Sequence, residues 1–340
     1  MATRADVARL AGVSSATVSY AISGKAPISD ATRERVFAAM RTLNYTPHVM
    51  AQALAGRRSR IIAMLLPSQE RALSNNDMEY MLGAASAARE LGYHLLLWPT
   101  VDRDVEEVVA LGQAGLLDGV ILMEVRLEDE RVALLREANV PFSLIGRTAD
   151  EEAEPLFSDR DFDAAILAAV GHLASLGHRH IAFINAPRRL IRRGIGAIVR
   201  ADAGFKAAAK QCGVKGVNLY CDVTIQAGRQ LASQLLAKHP EVTAIVEMNS
   251  EAIIGFMQEA PHAGIEIPCR LSVLSVNIPD GLADATVPAL TTIAPPANSM
   301  GRTAAQLLIA SVSEQDLPEG PRLFAGELIE RGSTARAPKL

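Results

Sequence analysis

The chain has 340 residues and is 49% hydrophobic, enough for two or three domains with a large buried core. Its apolar segments are short and broken by charge, with no run of about 18 that would span a bilayer, and the opening MATRADVARL lacks the apolar core of a secretory signal. Cys212, Cys221 and Cys269 are scattered and odd in number, which fits a reducing cytoplasm better than a disulfide framework.

The net charge of −4 conceals an asymmetry: residues 1–60 carry nine Lys/Arg against Asp6, Asp30 and Glu34, or +6, leaving −10 for the rest. A basic head on an acidic body is the footprint of a module that meets phosphate; a solvated charge face is the plainer alternative.

The head reads as three helices. In the first, Val7, Leu10 and Ala11 share a face at i, i+3, i+4 spacing. Gly12 stands at a sharp turn, and Ser14 can cap a second helix by accepting from a free backbone N–H. There Val18, Ala21 and Ile22 face inward while Ser15, Ala16, Ser19 and Tyr20 face out. A packed back and a small polar front suit insertion into a DNA major groove, as in a helix-turn-helix, although an ordinary helical hairpin has the same pattern. Ser29 caps a third helix with Val36, Ala39, Met40 and Leu43 inward.

Residues 48–55, HVMAQALA, lie between Pro47 and Gly56. They have good helix boundaries, but a helix of about eight residues is unstable alone in water and needs support from a second copy or a DNA groove. Leu54 is suited to act as an apolar wedge in a minor groove, with Arg57, Arg58 and Arg60 on phosphate; a plain linker is equally compatible.

From residue 61 strands and helices alternate. Strands are expected over 61–66, 93–98, 119–123 and 142–145, with helices over 78–91, 105–114 and 131–138 between them. After Asp161 the pattern restarts: helices over 164–176, 201–211, 228–238 and 250–258, and strands over 181–184, 217–221, 244–247 and 271–276. Short apolar strands separated by helices specify parallel sheets covered on both faces. Two such halves imply two lobes with a ligand cleft where the strand C-terminal ends gather.

DVARLAGVSSATVSYAISGK, SDATRERVFAAMRTLNYTPHVMAQALAGRRSRIIAMLLP, HLASLGHRHIAFI, VPALTTIAPPANSMGRTAAQLL and LIERGST occur in this order. Together they resemble the lactose-repressor/galactose-repressor (LacI/GalR) family of bacterial transcription regulators over nearly the whole chain. The resemblance implies an α/β fold. A three-helix DNA-binding domain over 1–46 and a hinge helix and linker over 47–60 would precede a core over 61–340 that is similar to periplasmic sugar-binding proteins. The chain would cross between lobes three times, giving lobe 1 over about 61–159 and 293–322, and lobe 2 over about 160–292 and 323–334. It further implies a cytoplasmic homodimer on near-palindromic operator DNA, probed by a small sugar-like effector, with no cofactor, metal or membrane.

By position the resemblance assigns base reading to Ser15, Ala16 and Tyr20, phosphate contact to Thr17 and Ser19, a further DNA contact to Lys25, and the hinge wedge to Leu54. Tyr20 departs from the arginine common in relatives, a bidentate guanine reader. The effector pocket maps to Ser68, Arg147, Asp161, Asn249 and Asn277, with Glu124 a further candidate. Asn277 stands where relatives often have Asp, and Ala201 where they often have Arg, so Arg200, about 100° round a helix, is the nearest substitute. The segment PRRLIRRGIGAIVR, 187–200, is longer than the family leads one to expect. Its Arg188, Arg189, Arg192 and Arg193 would either grip an anionic effector or stand solvated on a surface loop.

Enzyme signatures are weak. Gly194-Ile195-Gly196 lacks the third glycine of a dinucleotide loop, and Gly24-Lys25 lacks the first glycine of a P-loop. His178 and His180 have no ligand partners at metal spacing and are expected to be structural. A solute-binding protein would fit the core, but not the basic helical head.

Overall fold

The computed structural model describes residues 2–23, 27–45, 58–66, 73–99, 104–150 and 156–339. It divides into two units, 1–59 and 60–340.

The first unit is built from α1 (Arg4–Ala11), α2 (Ser15–Ser23) and α3 (Asp30–Thr42). Thr3 and Asp6 close a capping box at the start of α1, each side chain accepting from the other residue's backbone N–H. Gly12 ends α1 at φ +66°, a left-handed conformation that an L side chain adopts with strain. Ser14 caps α2, accepting from the Thr17 N–H at 3.0 Å, and Ser29 caps α3. The core joins Val7, Ala8, Ala11, Val18, Ala21, Val36 and Ala39. Leu10, expected inward, is 53% exposed, because the buried stripe of α1 runs through Val7, Ala8 and Ala11 instead. The Ile22 side chain lies outside what is described.

The second unit opens with β1 (Ile61–Leu66), α4 (Asn75–Glu90), β2 (His94–Pro99), α5 (Asp104–Gln113), β3 (Gly119–Leu122), α6 (Glu130–Glu137), β4 (Phe142–Ile145) and β5 (Phe157–Arg160). It continues through α7 (Phe162–Ser175), β6 (His180–Asn185), α8 (Arg188–Arg192), α9 (Gly196–Gln211), β7 (Lys215–Tyr220), α10 (Ile225–Lys238), β8 (Ala244–Glu247), α11 (Ser250–Glu259) and β9 (Ser272–Ser275). Last come α12 (Asp280–Ala283), β10 (Thr291–Ile293), α13 (Ala297–Val312), β11 (Leu323–Phe324) and β12 (Leu328–Ile329).

Among the described residues the strands form two sheets, ordered β11-β5-β4-β3-β1-β2 and β12-β10-β9-β8-β6-β7. All pairings are parallel except β10 with β12. In the first lobe, α4 and α13 cover one face through Ala84, Ala88, Ala304 and Leu308. The other face meets Val105 and Val108 of α5 and Val132 and Leu135 of α6. In the second lobe α7 and α9 cover one face, where Phe183 and Phe205 stack with centroids 4.9 Å apart, and α10 and α11 the other.

The chain passes between sheets after β5, after β10 and between β11 and β12. The last passage falls between Phe324 and Leu328, beyond the break expected at 322/323, because Leu323 and Phe324 pair with Asp159 and Arg160 of the first sheet. Two-residue strands such as β11 and β12 carry no readable alternation.

His178 is wholly buried. Its Nδ1 lies 2.9 Å from Thr243 Oγ1, and its Nε2 lies 3.1 Å from Ser272 Oγ and 3.0 Å from the Ala335 carbonyl, tying the C-terminal segment to the second lobe. Burial pushes its pKa below the ordinary imidazole value. Among the described residues, no cluster of His, Cys, Asp or Glu could hold a metal ion, and no helix is long and apolar enough to cross a membrane.

Candidate functional site

In the helical unit, α2 turns Val18 and Ala21 into the core and presents Ala16 and Tyr20 to solvent, with Tyr20 45% exposed. Ser15, Thr17 and Ser19 are half-buried on the flanks. Thr17 Oγ1 lies 2.9 Å from the capping Ser14 Oγ, so that hydroxyl also serves the helix start. The result is a small, polar, uncharged front, the shape a major groove admits. Lys25 and Leu54 lie outside the described residues, as does Ser68.

In the core unit, a cavity of about 190 Å³ lies between the lobes, at the C-terminal ends of both sheets. This is where parallel α/β sheets gather ligand-binding loops. Glu124 follows β3 and sits at φ +52°, Asn249 follows β8, and Asn277 follows β9; all three line the cavity. Asn277 is engaged from both lobes: Asn76 Nδ2 donates to its carbonyl at 2.7 Å and to its Oδ1 at 3.2 Å, and its own Nδ2 donates to Ser250 Oγ at 3.1 Å. Asn249 Oδ1 caps α11 by accepting from the Ala252 N–H, while its Nδ2 donates to the Cys221 and Asp222 carbonyls.

Three expected effector contacts stand away from the cavity lining. Asp161 caps α7, its Oδ1 accepting from the Ala164 N–H at 2.9 Å. Arg147 pairs with Asp159 at 3.0 Å. Arg200, on α9, donates to the Arg147 and Thr148 carbonyls at 3.1 and 2.8 Å and lies 3.8 Å from the Asp159 carboxylate. Ala201, its neighbour, is fully buried among α7 and α9, since one residue of helical rotation separates lobe contact from lobe core. Arg147 and Arg200 thus bind one another's surroundings through Asp159, and the lobes to each other.

The residues missed in the sequence are Asp159 and Arg160, which do line the cavity. Arg160 ends β5 in the first sheet, yet its guanidinium donates to the carbonyls of Val276 and Ile293 in the second. Burial lowers its pKa to about 10, and it lies 5.8 Å from the Phe162 ring centroid. Burial likewise raises Asp159 despite two arginines, and pushes Glu247, fully enclosed on β8, up to about 8. Among the described residues, the buried atoms without a hydrogen-bond partner are Ser158 Oγ, Arg160 Nε and Glu247 Oε1, on β5 and β8. The run Ser-Asp-Arg-Asp at 158–161 signalled this, since charges at a strand end need buried partners.

The 187–200 segment is also resolved into parts. Arg188 stacks on Tyr220, 4.6 Å from the ring centroid; Arg189 pairs with Asp222; and Arg192 is exposed. The cavity receives Leu190, Ile195, Ala197 and Ile198 from it, and none of those arginines. Backbone bonds fasten it to the first lobe: the Gly196 N–H donates to the Val125 carbonyl at 2.9 Å and the Leu127 N–H to the Gly194 carbonyl at 2.8 Å.

Residues 3–48 match the bacterial regulatory proteins of the lacI family, and residues 170–334 match a periplasmic binding protein-like domain. The HTH-type transcriptional regulator MalR of Streptomyces coelicolor is 30% identical over 99% of this chain and 98% of its own length. The HTH-type transcriptional repressor CytR of Escherichia coli is 30% identical over 99% and 97%. Among solved structures, the lac repressor dimer bound to operator and the anti-inducer ONPF superposes with a TM-score of 0.81 at 25% identity, covering 98% of this chain and 99% of that one. A complex of the transcriptional regulator CelR with cellobiose gives 0.71 at 26%, covering 98% and 100%. With a helix-turn-helix head, a two-lobed parallel-sheet core and full-length relatives of this kind, the chain belongs to the LacI family of DNA-binding transcriptional regulators.

Proposed function

We propose that this regulator is a repressor, acting as a cytoplasmic homodimer on a near-palindromic operator, whose DNA affinity is set by a small sugar-like molecule bound between the core lobes. The observation that carries the reading is the cavity at the strand C-terminal ends, bridged by the Asn76–Asn277 hydrogen bonds and by Arg160. A ligand there that favours one lobe arrangement would bias the helix expected from sequence over 48–55, a population shift acting on a marginal element. Exposed Met78 and Leu82 on α4 and Leu96 and Leu97 on β2 give the first lobe an apolar surface suited to a second copy.

The deciding experiment measures retention of DNA obtained by binding-site selection, across salt and with a panel of sugars and sugar phosphates. Affinity that falls steeply with salt and shifts with a panel sugar is expected. Salt-insensitive or absent retention would defeat the reading.

Two substitutions address the DNA contacts. Tyr20 has one hydroxyl and a flat ring, so it makes one hydrogen bond or packs on a thymine methyl, whereas arginine grips guanine with two bonds. Tyr20→Arg is therefore expected to change the base preference recovered by site selection, at about 1–3 kcal/mol per altered base pair; identical selected sites would count against Tyr20 as a reader. Leu54→Ala is expected to weaken selected-site binding by a few kcal/mol while leaving circular dichroism unchanged, through loss of a minor-groove wedge. Undiminished affinity would remove Leu54 from the hinge contact.

A further inference from the structure

Several of the cavity's polar side chains are held by the protein itself, while Arg160, also in the lining, keeps its Nε without a hydrogen-bond partner. Asn249 caps α11 and bonds two carbonyls, Asn277 is held between Asn76 and Ser250, and the Asp77 carboxylate accepts from the Ser74 backbone and hydroxyl at 2.7 and 2.8 Å. What faces the space from the second lobe is a separate small apolar cluster. Ala186, Ile195 and Ile198 are buried in it, with Leu190 and Val223 packed against them, and all five line the cavity. Met123, Phe162 and Met300 line the same space.

The wall is held in place deliberately. The buried Asn185 donates from Nδ2 to the Ile198 carbonyl at 3.1 Å and accepts from the Ala186 N–H at 2.8 Å, fixing both ends of the segment. Gly194 and Gly196 bond to the first lobe between those ends. A Cβ at Gly196 would lie 2.6 Å from Arg200 Nη1 and 3.1 and 3.2 Å from the Val125 and Arg147 carbonyl oxygens, so a side chain there would crowd this junction. The volume of about 190 Å³ is smaller than the roughly 300–1,000 Å³ of pockets that take drug-sized ligands.

We infer that the 186–198 segment is the specificity wall of the cleft, selecting a compact, single-ring effector with a substantial apolar face and excluding two-ring polyols. The inference rests on the proposed reading of this cleft as the effector site. A disaccharide would require displacement of the wall and of the Asn76–Asn277 bridge, whereas a single ring makes dispersion contact without breaking either.

The test is saturation-transfer NMR on the full chain, with phenol and cyclohexanol as single-ring probes and cellobiose as the two-ring polyol. Both single-ring probes are expected to bind wild type and cellobiose to give no transfer. Leu190→Asp, at a half-buried position, makes the wall polar, and Leu190→Trp fills the space while keeping it apolar; each is expected to weaken single-ring binding at least tenfold, with folding checked by circular dichroism. Cellobiose binding to wild type, no binding by either single-ring probe, or single-ring binding indifferent to both variants would overturn the inference. Retention of selected DNA is measured on the same wild-type sample. Normal retention with a failed probe pattern removes the specificity wall alone, whereas lost retention with the expected probe pattern removes the proposed control of operator binding and leaves the wall standing as a ligand-selecting feature.

Discussion

Gly228→Ala is expected to destabilise the core by about 3 kcal/mol or more, although alanine is the better helix former by about 1 kcal/mol. A Cβ at Gly228 of α10 would lie 1.8 Å from the Ala252 carbonyl oxygen of α11, and one at Gly255 of α11 would lie 1.9 Å from that of Ile225. The two helices meet backbone to backbone at both glycines, so no flexible side chain exists to move aside. They would have to part, disturbing the cluster around Leu235, Ile253 and Phe256 and shifting Asn249, Ser250 and Glu251 at the cleft. Gly171, inside α7 with nothing within 4 Å of an added Cβ, is the control. Gly171→Ala is expected to stabilise by about 1 kcal/mol. Urea denaturation of the two variants should move the midpoints in opposite directions; a higher midpoint in both would show that helix propensity, not close approach, governs these sites.

Glu247 supplies the second large effect, through pH. Its carboxyl is fully buried, and burial together with the nearby Glu251 charge outweighs the Arg160 charge and the Ser275 hydroxyl, which donates to Oε2 at 2.7 Å. With the folded value raised from 4.5 to about 8, its contribution to stability is complete below the unfolded value and is lost as pH rises through the folded one. Glu247→Gln keeps an acceptor for Ser275 but carries no ionisable group. The variant is expected to match wild type near pH 4.5 and to exceed it by about 2–4 kcal/mol at pH 8.5. Denaturation midpoints at both values check this, and a wild type whose stability relative to the variant is flat between them would refute it. Arg160 is the charged group from the facing lobe, so repeating the comparison in Arg160→Met separates its influence: without that positive charge the Glu247 pKa should rise further.

Periodicity and capping chemistry make much of the fold legible in the sequence alone. Val18 and Ala21 had to face a core because they share a helical face, Gly12 and Ser14 marked a turn and a cap, and apolar runs such as 61–66 and 244–247 had to be buried parallel strands. Each of these is a local signal, written within one or two turns of chain. The ordered motifs were enough to indicate the family and the location of a cleft at the strand ends.

Long-range pairing decided the rest. Arg160 reads as one charge among several, and only the second sheet supplies the Val276 and Ile293 carbonyls that make it a strut between lobes. Asp161, Arg147 and Arg200 have suitable chemistry for a ligand, and the structure gives each a partner of its own: Asp161 caps α7, and Arg147 and Arg200 meet the Asp159 carboxylate. The arginine-rich 187–200 segment shows its charges in the sequence, while the cavity lining takes its apolar residues instead: Leu190 from the short helix α8, and Ile195 and Ile198 from the start of α9. Sequence pattern fixes which face of an element is buried, since that depends on local periodicity. Which partner each buried polar group meets depends on the packing of elements far apart in the chain, and only the tertiary structure decides it.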